Sequence, residues 1–531
     1  MKKLTAFRLA WTAIVVAATS LPYLLNWFAT PAGYHYTWII PPYPEDSFGY
    51  MAWAQQAAHG AWLFTIKYTA LPHKAFLFHP FFLFSGWMSA LFSGNIGVVF
   101  LVMKAIGVVL FFVAFYAYVD FLGLDPIQST AASVLVGVSS GLGGILAFSG
   151  LVSRSLAPAD LWLVEMSTYW SLLWNPLFPF SLTLMLLSIY WLDRGTREAR
   201  SSDLWLAGLA TGVMALIHPY SLPLLFAFAI VVTVIRRRAN AFGYLCRYFA
   251  LALPFVTYVT VVSQINPLVA RHSALGEMKS PSLVVYLLGF GLPLFFCLAA
   301  LMAKWTPLFK RYYQVLLWFF LSVVFAYLPF WFQRKLVFGA HVPLCILGGI
   351  AFAMLLGWCS RSTTRRWVVI IAAVIGLPLL VATPIYLFAS QAKIARANAD
   401  GAYYLSNEKM EGLRFLSTHS DPNDVVFATI ATSRLIPAFA GNTVVWGHWA
   451  MSIDLKERRA WLGDLFKTGS NWDDEDRSRE FWGTGIQYIF ADGEIKQTLE
   501  AYPFMWRVIL KEAEKVFEND SVVIYRRRKA S

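Results

Sequence analysis

The sequence predicts a mainly α protein: a polytopic membrane helical bundle of 11 or 13 spans carrying a C-terminal soluble α/β domain. Three observations predict it. Only 14% of the 531 residues are charged and 58% are hydrophobic, whereas soluble domains run at roughly 25% charged. Ten clear apolar runs approach the roughly 20 residues that cross a bilayer. The acids are also segregated: 20 of the 30 Asp and Glu residues fall in 391–531, so residues 1–390 carry a net charge of +14 and the tail −1. The expected division is therefore 1–390, a transmembrane domain with a first external loop at 29–75, and 391–531, an external α/β domain. The same composition excludes a disordered chain, a collagen-like repeat and a small disulfide scaffold.

In order along the chain, the runs are 8–28, 95–119, 176–192, 204–219, 221–235, 243–265, 282–303, 312–331, 337–358 and 367–389. Two more, 76–92 and 126–150, are apolar but broken by Gly, Ser or Pro. The first has a basic start but no convincing cleavage site, so it reads as a retained anchor. Basic clusters recur between runs: Lys2, Lys3 and Arg8; Arg194, Arg197 and Arg200; Arg236, Arg237 and Arg238; Lys304, Lys310 and Arg311; Arg361, Arg365 and Arg366. That spacing is the signature of loops retained in the cytoplasm, and no nucleic-acid partner is expected from it. With the N-terminus cytoplasmic, counting crossings gives 11 or 13 spans and an external (periplasmic) tail at the plasma (inner) membrane. Four cysteines, Cys246, Cys297, Cys345 and Cys359, lie in or beside apolar runs without metal or disulfide spacing, so they read as buried small hydrophobes.

In the tail, 408–419 and 453–467 have helical patterns. Strands are expected at 424–430, 443–446 and 486–491, with a hairpin from 516–517 to 522–525. No G-x-G-x-x-G or Walker loop supports dinucleotide or ATP chemistry.

The most informative stretch is the first external loop. Pro41-Pro42-Tyr43-Pro44 is a stiff lead-in to Glu45-Asp46, followed by a helical pattern from Ser47 to about Leu63. Adjacent acids are notable where ten serve 390 residues. Two readings stay open: one acid is a general base or the pair holds a divalent cation such as Mg or Mn, or Asp46 or Ser47 caps the helix.

One span, a long loop with an acidic pair, many further spans and an external α/β tail together resemble the GT-C superfamily of integral-membrane glycosyltransferases. Within it, the bacterial branch related to protein mannosyltransferases and aminoarabinose transferases is the most similar. Leu435-Ile436-Pro437-Ala438 and Gly447-His448-Trp449 add a likeness to the tails of bacterial GT-C-like proteins. The resemblance implies an inverting transfer from a polyprenyl-phosphate-linked sugar to a protein, lipid or glycan acceptor at the outer face of the membrane, among membrane lipids. It makes Asp46 the catalytic base and Glu45 its partner.

A lipid-phosphate donor needs cations at the external membrane edge. Arg334 and Lys335, beside Gln333, sit there by the predicted topology; the alternative is two snorkelling side chains. Lys67, Lys74, Arg154, Arg271 and Lys279 are secondary candidates, and Lys104 stands inside an apolar run, where a charge is costly. His59, His73 and His79 fit no zinc spacing, but His79 suits a hydrogen bond to acceptor or phosphate. His218, before Pro219-Tyr220, lines a cavity or simply sits in a turn. Asp160 and Glu165 bind sugar hydroxyls or are solvated. His448 with Trp446 and Trp449 forms either a sugar-stacking surface or packing for the tail. A rival function is a non-enzymatic lipid-linked glycan transporter or envelope assembly factor; against it stand the single interior lysine and the lack of an evident repeat. An O-antigen-ligase-like enzyme ranks lower still, because the later external loops are short.

Overall fold

The computed structural model describes residues 2–153, 156–265, 278–359, 363–397, 401–453, 455–466, 474–493, 495–497 and 503–528. The protein is mainly α. Two compact units form: one comprises Met1–Pro22, Leu101–Ser263 and Gly276–Ala392, and the other is built mainly from Tyr23–Phe100 and Lys393–Ser531.

Among the described residues, six helices are long and apolar enough to cross a membrane: Lys2–Phe28, Ile96–Phe121, Pro219–Ile265, Leu283–Met302, Gln333–Trp358 and Gly376–Ala397. Pro80–Phe92, Pro126–Val138 and Ser201–Ile217 are shorter apolar helices. The chain is a multi-pass membrane protein.

The first unit is assembled from helical hairpins. Leu177–Glu198 turns at Ala199, whose φ is +57°, into Ser201–Ile217. The two helices are pinned by a hydroxyl pair, Ser188 to Thr211, at 2.7 Å. Leu222–Arg237 turns likewise into Ala241–Ile265, placing the Phe226 ring against Phe249 at 5.1 Å. The predicted spans 282–303 and 312–331 emerge as one helical run, Leu283–Phe325. A straight helix of that length would part its ends by about 64 Å. Instead the ends meet: Ser280 donates to the Ala326 carbonyl at 2.5 Å, and the Tyr327 hydroxyl to that of Pro281 at 2.9 Å. Phe290 also packs on Phe319 at 5.4 Å, so the run folds back on itself about its middle.

Basic side chains collect at one end of this bundle. Arg8 grips Asp120 and Arg194 grips Asp203, each through two nitrogens. Arg197 lies over the Phe121 ring, Arg311 donates to the Gly123 carbonyl, and Arg236 pairs with Asp193. His218 follows Ile217, about 22 Å along its helix from the Arg194–Asp203 pair. Lys104 is fully buried and donates to the Thr19 carbonyl. Of the cysteines, Cys297 and Cys345 are buried as expected, but Cys246 is exposed.

The second unit begins by joining the first loop to the tail. Strand β1 (Tyr34–Tyr36) pairs antiparallel with β2 (Tyr404–Ser406). The tail sheet contains β3 (Val425–Phe427), β4 (Thr443–Val444), β5 (Ile486–Ala491), β6 (Ala513–Glu518) and β7 (Val523–Arg527), in the order β4-β3-β5-β7-β6. β3 runs parallel to β4 and β5, and the β6–β7 hairpin closes the sheet antiparallel. Phe427, Trp446, Phe481, Trp482 and Trp506 fill the core. Helices Asn407–His419 and Leu455–Phe466 match the predicted patterns; Asp474–Gly483 starts in the acidic run that reads as a solvated loop or helix start, and Pro503–Lys511 was not anticipated.

Burial separates the arginine pairs energetically. The Asp193 side chain is fully buried beside Arg236, whereas that of Asp120 is 55% exposed beside Arg8. Arg236→Met leaves a carboxylate buried without its partner and should cost about 3–5 kcal/mol. Breaking the exposed pair with Asp120→Asn should cost about 1 kcal/mol or less. Thermal unfolding of the two purified variants checks the ranking, and equal losses would contradict it.

Candidate functional site

The acidic pair lies in the second unit, inside a helix rather than ahead of one. The helix is Pro44–Ala58, with Tyr43 as its N-cap at φ +64° and no side-chain cap. Proline fits the first helical position because it needs no N–H partner there. Glu45 and Asp46 therefore fall in the first turn, where the helix dipole favours negative charge. The reading of Asp46 or Ser47 as the cap is thus corrected: the helix starts three residues earlier than the pattern from Ser47 implied, and it ends before the predicted Leu63.

The tail reaches both carboxylates. Glu45 Oε1 pairs with the Arg434 guanidinium at 3.0 Å, with both side chains partly exposed. Asp46 Oδ1 accepts from the Trp449 indole N–H at 3.3 Å and lies 3.7 Å from His448 Nε2; the Asp46 side chain is 32% exposed. His448 Nδ1 accepts two main-chain hydrogen bonds, from Ala450 at 3.0 Å and Met451 at 3.2 Å.

Local structure explains why His448 stands there. Gly447 adopts φ +147°, and a Cβ at that position would lie 2.8 Å from the Ser433 carbonyl carbon. Ser452 Oγ accepts from the Gly447 and His448 N–H groups and donates to the Tyr68 carbonyl. Gly49, one turn on from Asp46, lets the helix approach: a Cβ there would sit 2.9 Å from Met451 Cε and 3.4 Å from His448 Nε2.

These donors do not fit a divalent cation. Arg434 already neutralises Glu45, and Asp46 faces N–H groups, which repel a cation. Among the described residues no group of three or more His, Cys, Asp or Glu side chains is placed to hold a metal ion.

Sequence reasoning singled out Leu435-Ile436-Pro437-Ala438 and Gly447-His448-Trp449 but not Arg434, which immediately precedes the first motif. Trp446, grouped with the sugar-stacking residues, belongs to the tail core and donates to the Ala428 carbonyl at 2.9 Å. Trp449 is 51% exposed. His79 is buried, stacked 4.1 Å from Phe82, which packs in turn on Tyr50 and Trp53 of the Asp46 helix. Lys67 is engaged in the tail: its ammonium donates to the Pro422 carbonyl at 2.7 Å, and burial pulls it down to about 8 against the attraction of Asp421.

The other predicted residues lie in the first unit. Arg334 and Lys335 sit at the end of the bundle opposite the basic clusters. Arg334 lies over the Trp162 ring at 6.0 Å and Lys335 over Tyr220 at 4.0 Å. Neither makes an ion pair or a side-chain hydrogen bond with a described residue. His218 is buried against Phe338 at 4.7 Å; burial, then the charge of Lys335, pushes it down to about 3, so the ring is neutral. Asp160 is fully buried, not solvated: Oδ2 accepts from Thr383 at 2.7 Å and from the Gly143 N–H at 3.2 Å. Burial raises its carboxyl to about 7 despite those bonds. Arg154 and Arg271 lie outside the described residues.

No protein-family model matches the chain, and no curated protein matches it in sequence. Solved structures do match. ArnT from Cupriavidus metallidurans in the apo state superimposes with a TM-score of 0.52 at 15% identity, covering 97% of each chain. The same protein bound to undecaprenyl phosphate gives 0.50 at 12%, covering 97% of this chain and 98% of that one. The Archaeoglobus fulgidus oligosaccharyltransferase tethered to an acceptor peptide gives 0.51 at 13%, covering 98% and 74%. The chain has a GT-C-like fold.

Proposed function

We propose that the protein is a membrane glycosyltransferase that moves a sugar from a polyprenyl-phosphate donor to an acceptor hydroxyl or amide at the external face of the plasma membrane. The observation that carries this reading is the sorting of the acidic pair. Glu45 is neutralised by a guanidinium, while Asp46 stays partly exposed and is met by neutral N–H donors. A carboxylate held that way remains able to take a proton. The GT-C-like fold supports the same class, since the ArnT structure that it resembles binds undecaprenyl phosphate.

In the proposed reaction Asp46 accepts the proton of the acceptor group as that group's oxygen or nitrogen bonds to the anomeric carbon. The bond from that carbon to the phosphate oxygen breaks, and configuration inverts. Polyprenyl phosphate leaves with the bonding electrons. Arg334 and Lys335 supply positive charge for the phosphate; cations without an ion pair among the described residues are suited to that task. His79 and His218 line binding surfaces in this proposal, and Asp160 ties the 159–161 turn to Gly143 and Thr383. With the basic clusters facing the cytoplasm, the Arg334–Lys335 end faces outward, and the tail works externally.

The test is an incubation of purified protein with radiolabelled undecaprenyl-phosphate sugars and a cell-envelope extract. Asp46→Asn should lower transfer at least 100-fold with unfolding unchanged, and Glu45→Gln should cost less. Full activity in Asp46→Asn would remove the assignment. Donor binding without consumption by the wild type would favour the lipid-linked glycan carrier. Separately, replacing both Arg334 and Lys335 by Met should weaken binding of undecaprenyl phosphate at least tenfold in a vesicle-based assay. Unchanged binding would take the phosphate role from this pair.

A further inference from the structure

We propose that the C-terminal domain is a positioning device for the acidic pair: Arg434 engages Glu45 in an ion pair, and His448 with Trp449 hold Asp46 ionised and aimed. The inference rests on the reading of Asp46 as the base, and it gives the tail a role within the reaction.

The argument begins at His448. Two main-chain N–H groups, from Ala450 and Met451, point at Nδ1. A hydrogen on Nδ1 would collide with both, so the ring carries its hydrogen on Nε2. Nε2 is the atom that faces Asp46 Oδ1 at 3.7 Å. The indole N–H of Trp449 points at the same oxygen at 3.3 Å. The Trp449 N–H is therefore hydrogen-bonded to that oxygen, while the Nε2–H of His448, beyond hydrogen-bond distance, faces it as a second dipole; both favour the charged form of the acid.

The arrangement is built into the loop. Gly447 is in a conformation that strains any other residue, and Ser452 fixes its N–H and that of His448. The ring is buried, with only 3% of its side chain exposed, and it packs against Tyr68 at 5.4 Å. The titratable and charged groups facing the pair include Arg434 and His448 from the tail, Tyr403, which senses the charge of Glu45, and Tyr68, which packs on His448 and senses Arg434. Arg434 is directed at Glu45, so the strongest positive charge falls on one acid and the neutral donors on the other.

The sign follows directly. Donors that favour the carboxylate make it harder to protonate, so their loss must raise the pH at which Asp46 takes up a proton. The test is an infrared titration of the full-length protein in lipid nanodiscs, in which the difference against Asp46→Asn isolates the Asp46 carboxylate band. In Trp449→Phe the midpoint of that band should move up by about one pH unit, the shift that loss of a hydrogen bond to a charged group produces, and in His448→Ala, which removes a dipole at 3.7 Å, it should move up by less. His448→Gln, which keeps an N–H donor, should recover part of it. An unmoved midpoint in Trp449→Phe, at an exposed position where folding is not at stake, overturns the proposal whatever His448→Ala does. Because the titration needs no substrate, its failure is distinct from that of the transferase reading, which falls if Asp46→Asn retains transfer.

Discussion

The ion pair between Glu45 and Arg434 is the contact on which the candidate site depends. Adjacent carboxylates in one helical turn repel each other, and the helix dipole offsets only part of that repulsion. A guanidinium at 3.0 Å from one of them removes the conflict and leaves the two acids chemically unequal. The pair exists only because the first loop and the tail fold as one body. β1 and β2 tie the loop to the tail, Val444 donates its N–H to the Lys67 carbonyl at 2.8 Å, and the Lys67 ammonium is buried on the Pro422 carbonyl. Each of those bonds fixes the register that brings Arg434, His448 and Trp449 to the Pro44–Ala58 helix.

In the other unit, charge follows a different logic. At one end of the bundle three arginines are matched by carboxylates, Arg8 by Asp120, Arg194 by Asp203 and Arg236 by Asp193, while Arg197 rests on the Phe121 ring and Arg311 on the Gly123 carbonyl. At the opposite end Arg334 and Lys335 rest on aromatic faces instead. An aromatic ring holds a cation in place without cancelling its charge, so these two keep their attraction for an anion. Neutral His218 beside Lys335 adds no competing charge.

What was legible in the sequence was mostly local. Apolar runs of bilayer length translate directly into helices, although the two expected spans 282–303 and 312–331 join into the one helical run Leu283–Phe325. Ile486–Ala491 was placed to the residue because a buried strand is a short apolar run between turn signals. The acid pair was visible because acids are scarce. What was hidden depends on contacts between distant segments. Arg434 looks like any surface arginine until the tail docks on the loop. Lys67 reads as an external cation until it is buried, and Trp446 as a companion of Trp449 until the tail core forms around it. The helix starts at Pro44 rather than Ser47 because the last proline of the run occupies the first helical position.

The same geometry bears on two ways of managing negative charge at the acidic pair. A divalent cation would need several oxygens turned toward one point, whereas here one acid is closed by a guanidinium and the other faces N–H groups. A metal entering that space would have to displace Arg434 and meet donors of the wrong sign. A side-chain cation differs from an ion in being covalently tied to the tail, so its position is set by folding rather than by ion concentration. That makes the electrostatics of Glu45 and Asp46 a property of how the tail is docked, and any movement of the Arg434–Trp449 segment would change the basicity of Asp46 directly.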